Sequence, residues 1–131
     1  MLKVVVMDNS AMSRDLLKSL LTTGGHEIVG DANIAPQGIA RAIKLQPQIV
    51  CIDLGDDLKT GDAILRELRT ELPKTMLFLV SGQMSPEGVK MALEHGVHGF
   101  IVKPFNSITV LATIRGAVLK LIKQQQAKAA E

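Results

Sequence analysis

Five polar residues stand directly after short apolar runs, at positions where buried strands would end. They are Asp8, Asn9, Asp53, Ser81 and Lys103. Grouped carboxylates with oxygen partners suit Mg²⁺, and a carboxylate beside that ion can attack a phosphoryl group and form an aspartyl phosphate. An ammonium and a hydroxyl can then bind the remaining phosphoryl oxygens. The set therefore predicts phosphoryl chemistry, with Asp53 as the best candidate nucleophile.

These residues can meet only if the apolar runs form one sheet. The first run is rich in β-branched residues, and the five apolar runs predict strands at 2–7, 27–30, 49–53, 76–80 and 99–102. Stretches with helical periodicity lie between them, at 11–21, 36–45, 61–71 and from 86 to just before Gly96, and a last helix follows Asn106. This alternation predicts an α/β fold, a doubly wound five-stranded parallel sheet with helices on both faces. Ligands of such sheets bind at the carboxyl ends of the strands.

The helical periodicity also predicts which side chains face the sheet. In the first helix, capped by Ser10, they are Leu16, Leu17, Leu20 and Leu21. In the last helix they are Ile108, Leu111, Ile114, Val118, Leu121 and Ile122. The third helix is predicted to have Thr60 as its N-cap.

Length and composition restrict the possible classes of function. A chain of 131 residues with 47% hydrophobic residues predicts one globular domain. Its net charge of +2 is too small to indicate a nucleic-acid partner or a membrane surface. The single cysteine, Cys51, cannot form an internal disulfide, and the apolar run at the N-terminus is too short for a signal peptide or a membrane span. We therefore expect a cytoplasmic protein.

Four ordered motifs carry a resemblance to a known family. MDNSAMSRDLL follows the first predicted strand, IVCID ends the third, LFLVSG ends the fourth and FIVKPF spans the fifth. Together they resemble the receiver domain of two-component response regulators, the CheY-like family. The resemblance spans most of the chain and implies a flavodoxin-like strand order of 2-1-3-4-5. It predicts a stand-alone receiver domain at 1–122, followed by a helix extension or frayed tail at 123–131.

The resemblance also implies a role for each motif residue. Asp53 would be the phosphoacceptor, and Lys103 would pair with a phosphoryl oxygen. Mg²⁺ would be held by the following oxygen donors: Asp8, Asn9, Asp53 and the backbone carbonyl of Gly55. Ser81 and Phe100 would be the switch residues that respond to the phosphoryl group. The bond between Lys103 and Pro104 would be cis, a form that is uncommon even before proline.

Asn9 departs from the family pattern, in which this position usually carries an aspartate. An amide keeps an oxygen ligand but removes one negative charge, so Mg²⁺ binding weaker than is typical for the family and slower phosphorylation are expected. The alternative is a pseudo-receiver, a protein-interaction module in which phosphorylation is weakened or absent. The nearby acids Asp56 and Asp57 are either solvated loop residues or a partial replacement of the lost negative potential.

The resemblance implies a histidine kinase as phosphoryl donor and a downstream protein partner that contacts the fourth helix, fifth strand and fifth helix. No direct contact with nucleic acid or membrane is expected. Such a protein catalyses its own phosphoryl transfer and dephosphorylation and is not a conventional turnover enzyme.

Overall fold

The computed structural model describes residues 2–130, which form a five-stranded parallel sheet with helices on both faces. The strands are β1 (Lys3–Met7), β2 (Glu27–Ala32), β3 (Ile49–Ile52), β4 (Met76–Ser81) and β5 (Gly99–Val102). The helices are α1 (Ala11–Thr23), α2 (Pro36–Leu45), α3 (Leu58–Glu71), α4 (Pro86–Glu94) and α5 (Ser107–Ala130). The strand order β2-β1-β3-β4-β5 confirms the predicted doubly wound fold. Within residues 2–130, even the 24-residue α5 lacks the apolar length that crossing a bilayer requires.

The central strand β3 explains why its sequence is a continuous apolar run. All four of its residues are buried. Val50 and Ile52 pack in the layer formed with α2, α3 and α4, whereas Ile49 and Cys51 pack in the layer formed with α1 and α5. Because both faces of the sheet are covered by helices, the strand shows no alternation of polar and apolar residues.

The register of the sheet aligns the strand ends that carry the polar residues. The last residue of β1, Met7, pairs with the last residue of β3, Ile52. The last residues of β4 and β5 also pair with each other. Asp8 and Asp53 therefore leave the sheet side by side, and Lys103 leaves it at the same edge.

The helices bury narrower stripes than the periodicity predicts. The predictions for Leu16, Ile108 and Ile122 are wrong, because these side chains are 58%, 80% and 43% exposed. A helix turns ~100° per residue, so a helix lying on a sheet buries mainly residues spaced four apart, such as Leu17 and Leu21 in α1. The other predicted inward residues are buried or half-buried: Leu17, Leu20, Leu21, Leu111, Ile114, Val118 and Leu121.

The helix α3 begins earlier than predicted, and its N-cap is Asp57 rather than Thr60. The Oδ1 atom of Asp57 accepts hydrogen bonds from the backbone N–H groups of Lys59 and Thr60, at 3.1 and 3.3 Å. Its Oδ2 atom accepts a hydrogen bond from the Thr60 hydroxyl at 2.8 Å. A carboxylate satisfies two free N–H groups of the first turn, which a threonine hydroxyl three residues later cannot do.

We expect Asp57→Ala to lower the urea midpoint of unfolding, because the first turn of α3 loses its cap. These hydrogen bonds to Thr60 and Lys59 lower the pKa of Asp57 below its usual value. The stabilisation is therefore present above the pKa of the unfolded chain and is lost as the pH falls through the folded pKa. Urea unfolding at neutral and at acidic pH measures both effects, with Asp56→Ala as the matched control. An equal loss in both variants would contradict the capping role.

Candidate functional site

A lysine bridges two carboxylates at the carboxyl edge of the sheet. The Lys103 Nζ atom lies 2.8 Å from Asp8 Oδ2 and 2.7 Å from Asp53 Oδ2. The three residues follow β5, β1 and β3, so the lysine side chain reaches across the end of β4 to contact both acids. Three of the side chains singled out by the sequence are thus in direct contact.

The bridge is largely shielded from solvent. The side chains of Asp8, Asp53 and Lys103 are 9%, 18% and 24% exposed. Burial by itself lowers the pKa of Lys103, but hydrogen bonds to Asp53 and Asp8 outweigh it, and the pKa of Lys103 is raised. The ammonium is therefore charged at neutral pH and partly compensates two neighbouring negative charges.

Each carboxylate is also oriented by the backbone that follows it. Asp8 Oδ1 accepts a hydrogen bond from the Ser10 N–H at 2.8 Å, and Asp53 Oδ1 accepts one from the Gly55 N–H at 2.8 Å. These are Asx-type turns, in which the side chain bonds to the backbone two residues further on. Gly55 has a φ of 74°, a left-handed conformation that glycine adopts without strain. Both Oδ2 atoms are left to face Lys103.

A second group of charges supports Asp8 from the side of α1. The Arg14 guanidinium donates a hydrogen bond to the backbone carbonyl of Asp8 and forms an ion pair with Asp31 of β2 at 3.2 Å. Lys18 also contacts Asp31 at 3.2 Å. Burial raises the pKa of Asp31, but the hydrogen bonds from Lys18 and Arg14 outweigh it, so that its pKa is lowered. The only signal for this group in the sequence is the four-residue spacing of Arg14 and Lys18.

The two residues expected to act as a switch have their own local contacts. The Ser81 hydroxyl donates to the Gln83 carbonyl at 2.8 Å and accepts from the Gln83 N–H at 3.1 Å. Phe100 is half-buried against the core layer formed with α2, α3 and α4. The bond between Lys103 and Pro104 is cis, and the Lys103 N–H donates to the Ser81 carbonyl at 3.0 Å.

Comparison with known proteins decides the family. The family model of the response regulator receiver domain matches residues 4–115. This chain belongs to the response regulator receiver family. It is 27% identical to the chemotaxis protein CheY of Thermotoga maritima over 112 residues, which are 86% of this chain and 93% of that protein.

A longer relative and a solved structure agree with this membership. The chain is 28% identical over 114 residues to the transcriptional regulatory protein MctR of Rhizobium johnstonii, covering 86% of this chain but only 53% of that protein. The chemotaxis protein CheY4 of Vibrio cholerae superposes with a TM-score of 0.77 at 26% identity, covering 89% of this chain and 98% of that chain. Receiver domains thus occur among these relatives both as nearly the whole protein and as part of a longer one.

Asn9 is tied to a neighbouring loop of this receiver domain. Its Oδ1 atom accepts a hydrogen bond from the Ile34 N–H at 3.0 Å, which joins the β1–α1 connection to the β2–α2 connection. An amide oxygen has two lone pairs, so this one hydrogen bond does not use its full capacity as an acceptor. In the part of the chain that the structure describes, no three His, Cys, Asp or Glu side chains cluster as a metal site.

The oxygen donors of this edge nevertheless fit Mg²⁺. Asp8 and Asp53 are adjacent carboxylates that share Lys103, and Mg²⁺ is commonly held by one or two carboxylates together with water. The Asn9 amide and the Gly55 carbonyl are the further oxygen donors of the same two loops. The donor types therefore fit Mg²⁺, with two carboxylates rather than three.

We expect Lys103→Met to lower the free energy of unfolding by about 1–3 kcal/mol, because two partly buried carboxylates lose their hydrogen-bonded cation. Added Mg²⁺ should stabilise this variant more than the wild-type receiver, since the metal no longer competes with a lysine. Urea unfolding with and without MgCl₂ measures both effects, and Lys90→Met, on the exposed side of α4, is the control. An identical Mg²⁺ effect in the variant and the wild type would contradict the competition.

We expect Asn9→Asp to raise the affinity for Mg²⁺ by about tenfold or more, because a charge is added without loss of the oxygen that Ile34 binds. Isothermal titration calorimetry measures the affinity. Asp56→Asn, which removes a charge from the neighbouring loop, serves as the comparison. An unchanged affinity in Asn9→Asp would show that residue 9 does not act on the metal.

Proposed function

We propose that this receiver domain accepts a phosphoryl group on Asp53 from the phosphohistidine of a histidine kinase. The observation that carries the proposal is the bridge from Lys103 to Asp8 and Asp53, at 2.8 and 2.7 Å. A structural ion pair needs one carboxylate, whereas this lysine holds two at the edge where α/β sheets bind their ligands.

The residues of the site have separate roles in the proposed phosphoryl transfer. A carboxylate oxygen of Asp53 attacks the phosphorus atom while the bond from phosphorus to the histidine nitrogen breaks. The Lys103 ammonium pairs with one phosphoryl oxygen and stabilises the charge that develops there. Asp8, Asn9, Asp53 and the Gly55 carbonyl are the residues that would hold Mg²⁺, which would neutralise charge on the phosphoryl oxygens.

Ser81 and Phe100 are the proposed switch. The Ser81 hydroxyl bonds only to the neighbouring Gln83 backbone, so it can exchange these bonds for one to a phosphoryl oxygen. The β4–α4 connection would then move, and the half-buried Phe100 ring would repack. Phosphorylation shifts the population of such a state only by as much as it binds the two states differently.

The output surface of the proposal lies on α4, β5 and α5. Leu93 of α4 and Val102 of β5 are 57% and 55% exposed, and Lys90 lies on the same helix. Exposed apolar side chains with a neighbouring charge are typical of protein contact sites. A downstream protein would bind there with an affinity that depends on the position of α4.

A second candidate function is a pseudo-receiver that binds partners without phosphorylation. The hydrogen bond from the Ile34 N–H to Asn9 favours it, because it gives residue 9 a structural role in joining two loops. The retained contacts of Lys103 with both carboxylates favour phosphoryl transfer instead.

We expect incubation with Mg²⁺ and acetyl phosphate, or with an active cognate kinase, to add one phosphoryl group to Asp53. Intact mass and peptide mapping measure the adduct, which should be absent from Asp53→Ala and Asp53→Asn and present in the neighbouring control Asp56→Ala. Removal of Mg²⁺ with a chelator should abolish the adduct. The absence of an adduct at high Mg²⁺ with active kinase would contradict phosphoryl transfer and favour the pseudo-receiver function.

A further inference from the structure

A cavity of about 350 Å³ lies between the β3–α3 connection, the end of β4 and the first turns of α4. This volume is at the lower end of the range of about 300–1,000 Å³ that is usual for small-molecule sites. The cavity borders the candidate site at Gly55 and Ser81 and extends away from it to Met84 and Met91. Most of its space is therefore not used by the proposed phosphoryl transfer.

The inner wall of the cavity is apolar. Leu54 and Leu79 are buried side chains of this wall, and the half-buried Met91 of α4 packs against the same core layer. Val89 of α4 also lines the cavity and is half-buried. Such a surface favours hydrocarbon, since each square ångström of apolar surface removed from water contributes roughly 25 cal/mol to the free energy of binding. The cavity thus favours a ligand with an apolar body.

The mouth of the cavity is acidic. Asp56, Asp57 and Glu87 are its charged residues, and none of the lining residues is Lys, Arg or His. Within residues 2–130, none of these three carboxylates forms an ion pair. The mouth therefore attracts a cation and repels an anion.

The helix that forms one wall is fixed at its far end. Arg69 of α3 donates hydrogen bonds to the carbonyls of His95 and Gly96, at 3.1 and 3.3 Å. His95 Nε2 also lies 2.6 Å from Asp62 Oδ1 of α3. These contacts hold the C-terminal end of α4 against α3, whereas the cavity lies at the opposite end of the helix.

We propose that this cavity binds a small organic cation, an amine with a compact apolar body. The apolar body lies against Leu54, Leu79 and Met91, and the ammonium faces Asp56 and Glu87. The proposal does not depend on phosphorylation, because the cavity and its charges are present in the unmodified domain.

Methyl NMR on protein labelled at the methionine methyl carbons tests binding at the proposed place. With hexylammonium as the probe, we expect saturable shifts at Met84 and Met91 and none at Met7 or Met76. Hexanol should bind more weakly and hexanoate most weakly, since the chain is the same and only the charge changes. Equal affinity for hexanoate, the absence of shifts, or shifts at Met76, which lines a different cavity, would overturn the proposal.

Two variants test separately how the acidic charge and the cavity volume contribute to ligand binding. Glu87→Gln should weaken hexylammonium binding about two- to fivefold and leave hexanol binding unchanged, whereas Glu71→Gln at the far end of α3 should change neither. Val89→Phe should fill the cavity and weaken the binding of both ligands at least tenfold, with unchanged Met7 and Met76 signals as evidence of an intact fold.

An unaltered affinity for hexylammonium in Glu87→Gln would disprove the role of the acidic mouth, even where Val89→Phe fails to fold. Neither titration uses Mg²⁺ or a phosphoryl donor, so failure here leaves the phosphoacceptor proposal untouched.

Discussion

The site depends on one electrostatic constraint: two carboxylates lie next to each other at the ends of adjacent strands. Asp8 and Asp53 lie side by side because Met7 and Ile52 are paired in register. Like charges next to each other in a partly buried site repel each other, and the Lys103 ammonium offsets the repulsion by contacting both carboxylates. Two backbone features lie at Lys103 itself: its peptide bond to Pro104 is cis, and its N–H donates a hydrogen bond to the Ser81 carbonyl.

Strand ends were predictable from the sequence because buried strands differ sharply in composition from the polar residues that follow them. Asp8, Asp53 and Lys103 could thus be placed at one edge without coordinates. Helix faces were less predictable, since the periodicity that marks Leu17 as inward also marks Leu16, and only the orientation of α1 on the sheet separates them. The Asp57 cap and the Asn9 contact with Ile34 depend on loop conformations that strand and helix patterns do not encode.

The two helix layers differ in how firmly they hold the site. On the side of α1, Arg14 connects the Asp8 carbonyl to Asp31 of β2 through charged hydrogen bonds, and Lys18 binds the same Asp31 carboxylate. On the side of α4, the β4–α4 connection is held by the short-range bonds of Ser81 to Gln83 and lies against a cavity. The contacts beside the site are thus charged on the α1 side and uncharged at the β4–α4 connection.

Lys103 lies 95 residues after Asp8 in the chain, and this separation governs when the site can exist during synthesis. A nascent chain that has emerged only as far as β4 contains both carboxylates without their common cation. It cannot gain the stabilisation of the bridge, and β4 still lacks its outer neighbour. The bridge thus appears only with the last strand, so that an incomplete polypeptide on the ribosome carries Asp8 and Asp53 without the cation that joins them.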